Sequence, residues 1–167
     1  MRRNPAADAL PCLLRVVALS VSPLLIVVGG FWALAAVLEH DGWLYRLACD
    51  VGAFLIRGVA ASYLLHELAH LGGLALCGGV RRIRVENSRW RLSLTPEGEM
   101  GARSALLVAL VGPGTYLLFG GLLYMVAPGS WITWCYLSHV VFLVPAFGDG
   151  RTVIVSTRAL ITRSHPG

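Results

Sequence analysis

Apolar residues fall into four long runs, about Val16–Leu38, Ala53–Leu76, Ala105–Ala127 and Trp131–Phe147. A helix that crosses a bilayer needs about 20 predominantly apolar residues. The first three runs meet that length, and the fourth is near the lower limit, so it could instead re-enter the bilayer from one side. The first run is too long for a signal-peptide core and ends without a small-residue cleavage motif, so it reads as a span. Between the second and third runs the period changes. In "GVRRIRVENSRWRLSLTPEG", Ile83 and Val85 alternate with arginines, and Leu92 and Leu94 alternate with polar residues. Alternation on either side of "ENS" predicts a β-hairpin over about Val80–Leu94. The expected fold is an all-α polytopic membrane protein of about four helices, one domain over 1–167, with a short hairpin-like loop.

Composition sharpens this picture. Hydrophobic residues make up 56% of the chain, charged residues 14%, and mean hydropathy is +0.69. A soluble domain carries about 25% charged residues. Net charge is +5 and every basic residue is arginine. A basic chain can bind nucleic acid, but here topology accounts for the arginines and no nucleic-acid partner is expected. Arg2, Arg3 and Arg15 precede the first run. Arg81, Arg82, Arg84, Arg89, Arg91 and Arg103 lie between the second and third, and Arg151, Arg158 and Arg163 follow the fourth. With four spans these segments share one side, which the positive-inside rule makes cytoplasmic. The expectation is a cell-membrane protein, plasma or inner, with both termini in the cytoplasm. Arg46, with Glu39, Asp41 and Asp50, falls on the other side, and Arg57 can snorkel from the start of the second span. The arginine-rich loop could lie on anionic lipid, or as a short sheet it could pair with an extended peptide. Cys12, Cys49, Cys77 and Cys135 form no CxxC pair, so no disulfide framework or cysteine metal site is expected.

The second run contains "HELAH", His66 to His70. Titratable groups in lipid are costly unless partnered. Residues four apart share a helix face, so both imidazoles project to one side and can reach one zinc ion. Glu67 is placed to act as general base on a zinc-activated water. The plainer alternative is a set of polar groups bonded to neighbouring helices. A catalytic zinc needs a third protein ligand. Asp149 in "VPAFGDGRTV" is the leading candidate, because Pro145, Gly148 and Gly150 would break the helix and free the chain to aim a carboxylate. A helix-end aspartate facing headgroups is its plainer reading. His139 is the other candidate ligand, or a residue that supports one. Gly112, Pro113 and the pairs Gly72-Gly73 and Gly120-Gly121 read as kink and close-packing positions.

HELAH in an apolar helix, a β-like loop, "GPGTYLLFG" in the next run and "PAFGDGR" after another together resemble the site-2 protease family of intramembrane zinc metalloproteases. The resemblance covers about Ala53 to Thr152. It implies zinc held by His66, His70 and Asp149, Glu67 as catalytic acid/base, and a hairpin that helps present an unwound substrate helix. Two positions depart from the family. Its middle motif usually reads Gly-Pro-x-x-Asn, and Tyr116 holds the asparagine position here. Its last motif usually carries an asparagine before the proline; here Phe142 or a neighbour stands there, and the proline-to-aspartate stretch is one residue short. Such asparagines can orient substrate or stabilise an oxyanion, and Tyr116, Thr115 or His139 could stand in. The expected activity is cleavage of a peptide bond in or near the transmembrane helix of a membrane-protein substrate. The competing readings are a metal-binding pseudoprotease that scaffolds membrane partners, and a small membrane carrier.

Overall fold

The computed structural model describes residues 4–38, 42–88 and 91–163. Among these the order is α1 (Pro5–Leu38), α2 (Trp43–Ala53), a π-helical segment (Phe54–Ala60), α3 (Ala61–Leu76), β1 (Val80–Ser88) and β2 (Arg91–Gly98). Then come α4 (Ala102–Val126), α5 (Trp131–Ser138), a 3-10 segment (His139–Leu143) and α6 (Gly148–Arg163). Three helical runs, Pro5–Leu38, Trp43–Leu76 and Ala102–Val126, are long and apolar enough to cross a membrane. Residues Trp131–Leu143 and Gly148–Thr162 form a pair bent by 45°, which would make a fourth span.

The boundaries differ from the apolar runs for physical reasons. The first helix begins at Pro5, well before Val16. Asn4 caps it through Oδ1, which accepts the Ala6 N–H at 3.1 Å, and proline at the first helical position lacks the donor that would go unsatisfied. Ala6, Ala9, Leu13 and Val17 form one buried stripe. They pack with Leu71 and Leu74 of α3 and with Ile83 and Leu92 of the hairpin. At 34 residues α1 is about 51 Å long, more than the roughly 30 Å of a hydrocarbon core, so part of it serves to anchor the hairpin. Leu13 is fully buried in that cluster. Leu13→Ala is expected to cost about 2–5 kcal/mol of stability in a denaturant melt. Exposed Leu34 serves as the control, and an equal loss on truncating it would contradict the packing.

The second run also starts earlier. Arg46 and Asp50, which lie between the first two apolar runs, are exposed on α2, while Ala48 and Gly52 face inward. This is an amphipathic helix, and averaging hydropathy over its length conceals it. Gly52 admits α1 closely, since an added Cβ would lie 3.2 Å from Val28 Cγ1. In the following wide turn the Arg57 carbonyl accepts a hydrogen bond from the Tyr136 hydroxyl at 3.2 Å, tying the turn to α5.

The hairpin is present, but it extends to Gly98 and "ENS" is not its turn. Glu86, Asn87 and Ser88 belong to β1, opposite Ser93, Leu92 and Arg91. This register sets Val85 opposite Leu94 and puts both strands' apolar residues on one face, over α1 and α3. Gly79 and Gly98, both at positive φ, leave no room for a side chain at the open end of the hairpin, since a Cβ on Gly98 would collide with the Gly79 carbonyl oxygen and one on Gly79 with that of Glu99. The fourth run is broken at 144–147, and the arginines expected in a tail, Arg151, Arg158 and Arg163, lie on α6. Arg2, Arg3, Glu39, Asp41 and Arg89 lie outside the described residues.

Candidate metal centre

Helix α3 carries His66, Glu67 and His70, all buried. The two histidines are one turn apart, and their Nε2 atoms approach to 3.0 Å with the rings edge to face. Asp149 joins them from the first turn of α6, its Oδ2 3.2 Å from His66 Nε2 and 3.4 Å from His70 Nε2. The break before α6 delivers this carboxylate. The 3-10 segment ends at Leu143, and Gly150 lies against the Leu143 and Val144 carbonyl oxygens, where a Cβ would collide with both. The break read from Pro145, Gly148 and Gly150 is present at 144–147, but Gly148 and Gly150 themselves belong to α6; the position of Gly150 against these carbonyls explains why a glycine follows the aspartate. A carboxylate in the first turn of a helix is also favoured by the helix dipole.

His70 Nδ1 lies 2.8 Å from the Val108 carbonyl of α4. A carbonyl only accepts, so Nδ1 carries the proton and Nε2 turns a lone pair toward the cluster. Asp149 adds a carboxylate that only accepts. With both imidazoles neutral, at most one proton, on His66 Nε2, is available among the three converging atoms, and a cation satisfies all three at once. His66, His70 and Asp149 are therefore a group that could hold a metal ion. Gly112 of α4 makes the space. A Cβ there would lie 2.5 Å from His70 Nε2, 2.7 Å from His70 Cε1 and 3.0 Å from His66 Cε1. The sequence reads Gly112, like Pro113, as a kink and packing position; the space it leaves for the imidazoles depends on how α3 and α4 meet.

The three atoms open onto a cavity of about 590 Å³ that Glu67 also lines. Its walls include Leu92 and Leu94 of β2, Met100, Phe142 and Phe147. Tyr63 of α3 pins the hairpin to the rim, its hydroxyl accepting the Leu92 N–H at 3.2 Å. No local pattern marked Tyr63 or the Val108 carbonyl, because each acts across a gap between elements.

His139 lines the cavity but does not join the ligand cluster. Its Nδ1 donates to the Cys135 carbonyl at 2.7 Å, and its Nε2 faces the Ser62 hydroxyl at 3.4 Å. The other residues considered as stand-ins for the asparagines point elsewhere. Thr115 donates to the Val111 carbonyl within its own helix at 2.7 Å. Tyr116, fully buried, accepts the His66 backbone N–H at 3.0 Å. Phe142 packs against both His66 and His139, with ring centroids 5.4 Å apart in each case. Of the glycine pairs, only one member each meets a neighbouring helix. Gly73 lies against Val111 and Gly120 against Leu137, while Gly72 and Gly121 meet nothing within 4 Å. Comparisons with protein-family models, with curated proteins and with solved structures give no match.

Proposed function

We propose that this chain is an intramembrane zinc metalloprotease that cleaves a peptide bond in or near the transmembrane helix of a membrane-protein substrate. The observation that carries this reading is the convergence of His66, His70 and Asp149 at a cavity that also holds Glu67. Ligand atoms about 2.0–2.1 Å from a tetrahedral zinc lie roughly 3.3 Å from one another. The separations of 3.0, 3.2 and 3.4 Å fit that figure. Three protein ligands with cavity on the remaining side is the arrangement of a catalytic rather than a structural site.

Membrane residence is supported by the long apolar helices and by aromatic residues near the helix ends opposite the hairpin. Exposed Trp32, Trp43, Trp131 and Trp134 all lie there, as expected of residues at a headgroup boundary. By the positive-inside rule the arginines of the hairpin and α6 favour a cytoplasmic hairpin end, with both termini, in a cell membrane. The polar triplet then resides in lipid because a cation neutralises it and packing shields it.

Zinc bound to this triplet supplies a Lewis acid that ionises water near neutral pH. His66, His70 and Asp149 fix its position. Glu67 accepts a proton from the attacking water and delivers it to the departing amine. The apolar walls of the cavity exclude bulk water and accept an apolar substrate segment, and β2 borders that segment along one side. Purified in a mild detergent, the chain is expected to hold one zinc and to cleave a model transmembrane substrate. Glu67→Gln is expected to keep the zinc and lower cleavage by about 10²- to 10⁴-fold. Unchanged cleavage in Glu67→Gln would remove it from the mechanism.

One observation favours a second reading, a metal-binding scaffold without protease activity. Of Tyr116, Thr115 and His139, only His139 reaches the cavity, so side-chain donors to an oxyanion are few. Zinc bound in both forms, with no cleavage by either, is its signature.

A further inference from the structure

A histidine that binds a metal ordinarily donates its second ring nitrogen to an acceptor, which fixes the ring's orientation. His70 does so through Val108. His66 does not: its Nδ1 is buried without a hydrogen-bond partner. Something else must hold that ring.

Tyr116 is the group in place to do it. Its hydroxyl accepts the backbone N–H of His66 at 3.0 Å, which fixes the turn of α3 from which the side chain leaves. Its ring stacks on the His66 imidazole at 5.5 Å and 23°. Its ring also stacks on His139 at 4.1 Å and 22°. His139 is locked in turn by its bond to the Cys135 carbonyl. Phe142 packs against both histidines. Tyr116 does not line the cavity, so it does not touch a substrate there.

We propose that Tyr116 is a positioning residue for the metal centre, clamping His66 by its backbone and ring where no hydrogen bond to Nδ1 does so. The proposal rests on the zinc reading above. It assigns to tyrosine at this position a role that an asparagine could not fill, since an amide offers no ring to stack.

The test is zinc affinity of the full chain in detergent, by chelator competition, for wild type, Tyr116→Phe and Tyr116→Asn. Cobalt absorption spectra and amide exchange at His66 accompany it. Tyr116→Phe keeps the ring and removes the acceptor. It is expected to retain its helical circular dichroism, bind zinc about tenfold more weakly, alter the cobalt d–d bands and exchange the His66 amide faster. Tyr116→Asn is expected to bind more weakly still. Equal affinity and identical cobalt spectra in wild type and Tyr116→Phe would overturn the proposal, as would wild-type affinity in Tyr116→Asn. A wild type that holds no zinc would overturn the metal reading and this one with it, a result visible before any variant is compared. Should Tyr116→Phe fail to fold, 3,5-difluorotyrosine at 116 preserves shape and weakens the acceptor. An unmoved His66 amide resonance would then refute the clamp.

Discussion

Asp149→Ala is expected to empty the metal centre, taking zinc from near one per chain to near none after purification without chelators. Two imidazoles from one helix leave a zinc ion with half of a tetrahedral shell, too few ligands to retain it. No other group of three ligand atoms converges among the described residues. His139 turns its Nδ1 to the Cys135 carbonyl and its Nε2 to Ser62. The fold is expected to survive, because α6 is held by its own helix bonds, by its packing on α4 and by the seat of Gly150 on the Leu143 and Val144 carbonyls. Metal analysis beside circular dichroism separates loss of the ion from loss of the fold. Zinc retained at the wild-type level would show that Asp149 is not a ligand and would direct attention to His139.

Gly112→Ala is expected to lose the metal with all three ligands intact. On an exposed helix this change stabilises by roughly 0.5–1 kcal/mol, since glycine is the poorer helix former. Here the new methyl would lie 2.5 Å from His70 Nε2, well inside contact distance. The α3 and α4 backbones must separate or the imidazole must swing off the cluster, and either breaks a geometry that depends on three atoms meeting. Gly72→Ala and Gly114→Ala provide controls, because a Cβ at either position meets nothing within 4 Å. They are expected to keep the zinc. A Gly112→Ala chain that binds zinc normally and melts higher would show that His70 does not lie against α4 as described.

Much of the centre was legible in the chain because it is local. The spacing of His66 and His70 is a property of one helix, and the glycines and proline around Asp149 announce a break whatever lies nearby. Period-two alternation announced the hairpin, although the register moved "ENS" into β1: pairing is chosen by which apolar residues meet α1 and α3, and the strand itself carries no record of that. The early start of α1 and the helicity of α2 were not legible for a related reason. Only a stripe of each is buried, and the stripe has meaning only against the surface it covers.

The sequence by itself determined the helices' apolar character, the hairpin, the paired imidazoles with their glutamate, and the place where the chain must bend. The tertiary structure decided that Asp149 meets the two imidazoles, that Gly112 leaves them room, that the Val108 carbonyl orients His70, and that the Tyr116 hydroxyl and ring lie against His66. The division follows from range. Periodicity and helix-breaking act between near neighbours in the chain and can be read along it. A ligand set, a close approach and a ring stack are made between elements 38 to 83 residues apart, and they exist only once packing has chosen which faces meet.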